Sequence, residues 1–230
     1  MPPGADVAGN IDSVRRRIAA AAQRAGRSPT DIRLVAVSKT FDALLVRDAA
    51  SHGQLSFGEN RVQEGAAKIA ALSDLALEWH LIGHLQSNKA AKAAALFAWI
   101  ESVDSVELLQ RIDRAAVEAG TRPSVLIQVD LAREVTKHGA TQDRVSDLVQ
   151  AAAGLQAATL RGLMTVPPIP ERTDDSRQWF QRLRQLRDDL VSAGAAAESL
   201  RELSMGMSHD FEVAIEEGAT IVRVGTAIFG

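Results

Sequence analysis

Leu34-Val35-Ala36-Val37-Ser38-Lys39-Thr40 is a run of four apolar residues that passes directly into a polar Ser-Lys-Thr. A short apolar run with two valines reads as a buried strand. A lysine at the carboxyl end of such a strand must find water, a partner or a ligand. In parallel α/β sheets and barrels, ligands bind at that end. Two readings of Lys39 compete. In one it snorkels to the rim, which is the commoner fate of a lone strand-end lysine. In the other it is an amine partly desolvated at a barrel mouth, with its pKa lowered enough for Schiff-base chemistry.

Outward from this stretch the strand pattern recurs at near-uniform spacing. After the strand at 32–38, further strands are expected at 55–60, 78–84, 99–103, 124–130, 160–165, 203–205 and 220–225. Helical patterns separate them, at about 42–51, 61–72, 86–97, 106–119, 141–153, 174–192 and 208–218. Asp104-Ser105 reads as an N-cap, and so does Ser208. Val166-Pro167-Pro168-Ile169-Pro170 can be neither helix nor central strand and reads as a stiff loop. One more helix precedes the first strand. Asn10 can cap it, Ile11, Val14 and Ile18 line one face, and residues 1–9 are expected to be disordered. Eight strands alternating with helices, joined by right-handed crossovers, are most economically closed as a single (β/α)8 TIM-type barrel with an extra N-terminal helix. A doubly wound open sheet is the alternative, but it would usually carry a glycine-rich loop after its first strand, and Ser38-Lys39-Thr40-Phe41 is not one.

Composition narrows the chemistry. The chain has 230 residues and shows no Pro/Gly/Ser-rich linker, so a single domain over 1–230 is expected. The absence of cysteine excludes disulfides, thiol nucleophiles and thiolate metal sites, and it fits a cytoplasmic protein. The first ten residues lack the pattern of a signal peptide, and no apolar run approaches a membrane span. A net charge of −3 offers no electrostatic basis for nucleic-acid binding.

In a closed barrel the eighth strand neighbours the first. Side chains alternate along strands, so an inward Lys39 would share a face with Val35 and Val37. Arg223 would share a face with Ile221 and Gly225, and would point to the same mouth as Lys39. Two cations side by side fit an anionic or electron-rich ligand between them; an inward Arg223 paired to a carboxylate is the competing reading. Loops after the seventh and eighth strands form the recurrent phosphate site of such barrels. Here they carry Ser208 and Gly225-Thr226. Either feature alone is ordinary capping or turning, but together they favour phosphate. An amine, a guanidinium and a phosphate site around one mouth suit a phosphorylated aldehyde held as an imine, such as pyridoxal 5'-phosphate (PLP).

Longer motifs point the same way. They are Ala36-Val37-Ser38-Lys39-Thr40, Phe57-Gly58-Glu59-Asn60-Arg61-Val62-Gln63-Glu64 and Trp79-His80-Leu81-Ile82-Gly83-His84-Leu85-Gln86-Ser87-Asn88-Lys89. Arg161-Gly162-Leu163-Met164, Leu203-Ser204-Met205-Gly206-Met207-Ser208 and Arg223-Val224-Gly225-Thr226-Ala227-Ile228-Phe229-Gly230 complete the set. From about residue 32 onward the chain resembles the pyridoxal phosphate homeostasis proteins, a family similar to the barrel domain of alanine racemase and without a well-established catalytic activity. The resemblance implies a Lys39 aldimine, Arg223 facing the pyridine nitrogen, a phosphate held by Ser208, Gly225 and Thr226, and Asn60 and Met207 beside the ring.

Three functions then compete: a PLP carrier, an amino-acid racemase and a Schiff-base aldolase acting on a sugar phosphate. The aldolase leaves Arg223 unused. The racemase needs a second base opposite Lys39; alanine racemases use a tyrosine with help from a further β domain, and this chain has no tyrosine and ends after the barrel pattern. The carrier needs neither and is the expected function, with no catalytic residues. It is expected to act as a monomer, in PLP homeostasis, with apo-PLP enzymes as recipients and no membrane or nucleic-acid partner. Lesser signals have plainer expectations. His80 and His84 share a strand face but lie too far apart to chelate, and His80 is expected to be packed and hydrogen-bonded. Lys137 and His138 read as loop residues, and Glu59 and Glu64 as a surface network around Arg61. Gln86-Ser87-Asn88-Lys89 reads as a capped helix start, or else as a lid or partner contact. No metal-binding spacing is present.

Overall fold

In the computed structural model, residues 6–132, 138–169 and 171–230 are described. Eight parallel strands close in sequence order into one barrel: β1 (Arg33–Val37), β2 (Ser56–Glu59), β3 (Glu78–Leu81), β4 (Trp99–Val103), β5 (Ser124–Gln128), β6 (Thr159–Met164), β7 (Glu202–Ser204) and β8 (Ile221–Val224). The helices α2 (Ala43–Ser51), α3 (Val62–Ala71), α4 (Ala90–Leu96), α5 (Val106–Ala119), α6 (Gln142–Ala152), α7 (Arg177–Ser192) and α8 (Phe211–Glu216) connect them, and the short α9 (Thr226–Phe229) follows β8. The expected barrel is therefore the observed one. Closure pairs Val35 of β1 with Arg223 of β8.

The helix before the barrel, α1 (Val7–Arg24), starts earlier than expected. Asp6, not Asn10, is its N-cap and accepts the Gly9 amide at 2.9 Å. Val7 is fully buried, so burial of that extra turn replaces the disorder expected for residues 6–9. Asn10 instead donates its side-chain amide to the Ile228 carbonyl, tying α1 to the segment after β8.

Two apolar clusters reflect the alternation of side chains along each strand. The larger fills the layer between barrel and helices, with Ala36, Phe57, Leu81, Ile100, Ile127, Leu203 and Val224 facing out from the strands. The smaller, Val35, Trp99, Leu126, Met164 and Ile221, lies inside the barrel. The inward positions above it are polar, and they carry the site.

Candidate functional site

The turn that leaves β1 is held from outside the barrel. Glu59 is fully buried at the end of β2, and its Oε1 accepts from Ser38 Oγ (2.7 Å) and from Lys68 Nζ of α3 (2.7 Å). Lys68 Nζ also donates to the Ser38 carbonyl (2.6 Å) and to Glu64 Oε1 (3.0 Å). Glu64 Oε1 in turn accepts the Thr40 amide at 2.6 Å. Thr40 has φ +68°, a left-handed conformation rare for a β-branched residue. These bonds clamp the residues on both sides of Lys39. Glu59 and Glu64 are thus a clamp on this turn and not the expected surface network. Burial pushes the Glu59 carboxyl up, with Lys68 and Ser38 offsetting this in part. Lys39 itself is exposed, beyond the end of the strand. The expected desolvation is not provided by the protein alone, because β1 ends at Val37 and Lys39 lies exposed beyond it.

Arg223 points into the barrel and is 3 % exposed. Its Nη1 donates to Ser204 Oγ (2.5 Å) and its Nη2 to the Thr165 carbonyl (2.7 Å). Among the described residues no carboxylate lies within ion-pairing distance of it, so the carboxylate-paired alternative is not what forms. Burial pulls the guanidinium below the usual arginine value, opposed by Glu101 and Asp210, and an arginine starts far enough above neutrality to stay cationic.

A relay continues from Arg223 through the barrel. Ser204 Oγ donates to Glu101 Oε2 (2.5 Å), and Glu101 Oε1 lies 2.6 Å from His80 Nδ1. His80 Nε2 lies 3.2 Å from Glu78 Oε1, which is also 3.3 Å from Arg33 Nη1. His80, Glu101 and Ser204 are fully buried. Both imidazole nitrogens face carboxylate oxygens, and only the imidazolium donates from both. Burial alone would push His80 down, but Glu101 and Glu78 outweigh it and the imidazole titrates above its ordinary range. Glu78 is correspondingly drawn down to about 2 by the His80 hydrogen bond. His80 is packed and hydrogen-bonded as expected, stacked on Trp99 with the planes 2° apart. Glu101 and Ser204 were not anticipated, although a glutamate inside Trp99-Ile100-Glu101-Ser102-Val103 is a legible sign of a buried charge.

The relay makes stability depend on pH in a fixed sense. A raised folded-state pKa means that the His80 contribution is fully present below about pH 6.5 and is lost as pH rises through the folded value. Urea unfolding of wild type should therefore weaken from pH 6 toward alkaline pH relative to His80→Gln. Parallel pH profiles for the two proteins would refute an imidazolium at this position.

At the β7 and β8 ends, Gly206 has φ +91°, and a Cβ there would lie 2.5 Å from Ala214 Cβ. Its carbonyl accepts the Arg223 amide at 3.0 Å, which joins the β7 exit to β8. Ser208 is not the N-cap of α8, which begins at Phe211 after Asp210. Asp210 accepts the Met207 amide (2.7 Å) and Ser176 Oγ (2.7 Å), and this closes the turn and delays the helix. Ser208 Oγ is thereby directed at the β8–α9 turn, accepting the Gly225 amide at 3.2 Å, with the Ala227 amide 3.5 Å away. A hydroxyl oxygen here takes the place that an oxyanion could occupy. A Cβ on Gly225 would come within 3.3 Å of the Val37 carbonyl, so a bare backbone suits this close passage beside β1.

The seven expected site residues lie along one arc of the mouth: Met207 and Ser208 after β7, Arg223 on β8, Gly225 and Thr226 after it, Lys39 after β1 and Asn60 after β2. Ser208 and Gly225 are in direct contact. Lys137 lies outside the described residues. His84 is off the strand, because β3 ends at Leu81, and it does not share a face with His80. Gln86 makes no side-chain capping bond to the turn it opens, so the capping reading of Gln86–Lys89 does not hold.

The fold and this mouth define a barrel of the alanine racemase type: residues 9–230 match the family model "Alanine racemase, N-terminal domain". Within that class the chain belongs to the pyridoxal phosphate homeostasis protein family. It is 43% identical over 220 residues to the member from Aquifex aeolicus, covering 96% of each chain, and 42% identical to that of Escherichia coli K12, covering 98% of this chain and 96% of the other. PipY of Synechococcus elongatus, solved with PLP bound, superposes with a TM-score of 0.86 at 40% identity, covering 98% of this chain and all of that one. Alanine racemase of Clostridium difficile shares the fold, with a TM-score of 0.73 at 16% identity over 98% of this chain and 56% of its own.

Proposed function

We propose that this protein binds PLP at the β7–β8–β1–β2 arc and serves PLP homeostasis by holding and releasing the cofactor. The observation that carries the reading is Arg223, a buried guanidinium with no carboxylate partner among the described residues, next to the Ser208–Gly225 turn. The residues present fit the group. Arg223 has N–H donors for a ring nitrogen, the Ser208 hydroxyl with the Gly225 and Ala227 amides can hold a phosphate, and Lys39 supplies an amine just beyond the end of β1, the strand beside β8. When bound, PLP supplies an electrophilic aldehyde and an electron-accepting ring. Lys39 Nζ would be the amine that holds that aldehyde. Thr226 adds to the phosphate site, and Asn60 and Met207 border the ring.

Arg223 also disfavours transaminase-like and decarboxylase-like chemistry, and the absence of tyrosine, the second base of alanine racemases, favours a carrier over a racemase. A guanidinium donates to the ring nitrogen but does not protonate it, which leaves the ring a poor electron sink. Ser204 and Thr165 keep the guanidinium in that position. The protein is proposed to act as a cytoplasmic monomer and to deliver PLP to apo-enzymes; no described helix is long and apolar enough to cross a membrane. Affinity for PLP compared with pyridoxal tests the site. The phosphate should add several kcal/mol, at about 1.5–3 kcal/mol per charge-assisted hydrogen bond, and equal affinities would reject the Ser208–Gly225 turn as its holder. Turnover of any amino acid at roughly 1 s⁻¹ or above would replace the carrier with the racemase.

A further inference from the structure

On the other side of the mouth, three side chains from three successive loops converge. His84 follows β3, Asp104 follows β4, and His138 lies beyond β5. One ligand atom from each lies within 4.8 Å of the other two. The two imidazoles stack with centroids 3.6 Å apart and planes 11° apart. His84 Nδ1 is 3.6 Å from Asp104 Oδ2, beyond hydrogen-bond reach. Among the described residues none of these three side chains makes a hydrogen bond. We propose that His84, Asp104 and His138 bind one divalent transition-metal ion of the zinc class.

The backbone beneath the cluster is set for this. Gln128 Nε2 donates to the His138 carbonyl (2.7 Å), and the Ala140 amide donates to the Gln128 carbonyl (2.8 Å). Gly139, at φ +142°, lets this strand-like return pass so close that a Cβ would sit 2.7 Å from the Asp130 amide. His138 is thus anchored through its main chain while its ring stays exposed.

Two imidazoles and one carboxylate suit Zn²⁺, Co²⁺, Ni²⁺ or Cu²⁺, and not Ca²⁺ or Mg²⁺, which prefer oxygen ligands. Three protein ligands leave at least one position for water or an anion. His84 also lines a groove of about 370 Å³ with Asn60, Gln86 and Lys89, which gives that position an approach. No sequence spacing revealed the set, because its members come from three different loops.

The test is titration of the 230-residue protein, dialysed against chelator, with Co²⁺ followed by its visible d–d bands and with Zn²⁺ by calorimetry. One saturable ion per chain is expected. Loss of a partner that only supports a ligand costs about 10–100-fold, so His84→Ala, His138→Ala and Asp104→Asn should each weaken binding at least about tenfold. The three side chains are exposed or half-buried, so these variants should keep the wild-type circular dichroism. His52→Ala, at an exposed histidine beside Asp48, should leave the affinity unchanged. Absence of saturable binding, or binding that survives in the His84→Ala/His138→Ala double variant, would overturn the site. PLP binding enters neither readout, so the two proposals fail separately.

Discussion

Lys39→Ala will abolish covalent incorporation of PLP while leaving the protein folded. Borohydride reduction followed by peptide mapping should place the cofactor on the Lys39 peptide of wild type and on no peptide of the variant. The expectation of an intact fold rests on position. Lys39 is exposed beyond the end of β1, and truncation of an exposed side chain changes stability by about 0.5 kcal/mol or less. Loss of label therefore reports chemistry and not unfolding. Non-covalent retention should persist in part, because Arg223 and the Ser208–Gly225 turn are built without Lys39. Label recovered mainly on Lys89 or Lys137 would disprove the assignment.

The largest stability effect is expected at Lys68, a residue with no direct place in the site. The residue is 7 % exposed, and its ammonium bonds the Glu59 carboxylate, the Ser38 carbonyl and Glu64. Breaking a buried pair by removing one partner leaves an uncompensated buried charge, at a cost of about 3–5 kcal/mol. Lys68→Met should lose about that much in chemical denaturation. Adding Glu59→Gln should recover part of the loss, since the stranded charge is then gone. Burial already pushes Glu59 upward, so the deficit of the single variant should shrink at acidic pH, where Glu59 takes up a proton. The Thr40 turn depends on the same atoms, so Lys68→Met should also slow cofactor capture at Lys39. A loss under about 1 kcal/mol, in the range of a surface pair, would show that the clamp is not the buried ion pair it is taken to be.

The sequence by itself determined the barrel, because its evidence is local. Apolar runs such as 34–37 and 125–127, alternating with helical spacing, specify strands and helices one at a time, and strand order follows from right-handed crossovers. It also located the proposed binding arc, since Lys39, Ser208, Arg223 and Gly225 sit at or just past strand ends that a closed barrel brings to one mouth. Only the tertiary structure decided what those residues touch. Whether Ser208 caps a helix or faces β8 depends on Asp210 closing the turn first, a competition between two acceptors two residues apart. Whether Arg223 meets a carboxylate depends on Ser204 standing between it and Glu101, and these three residues come from three different strands. Glu59 and Lys68 look like surface charges until closure buries them together, and His84, Asp104 and His138 carry no common spacing. Periodicity along a chain reports which face is buried; which polar groups meet on that face is set by closure of the barrel and the register of its strands, contacts made between segments far apart in sequence.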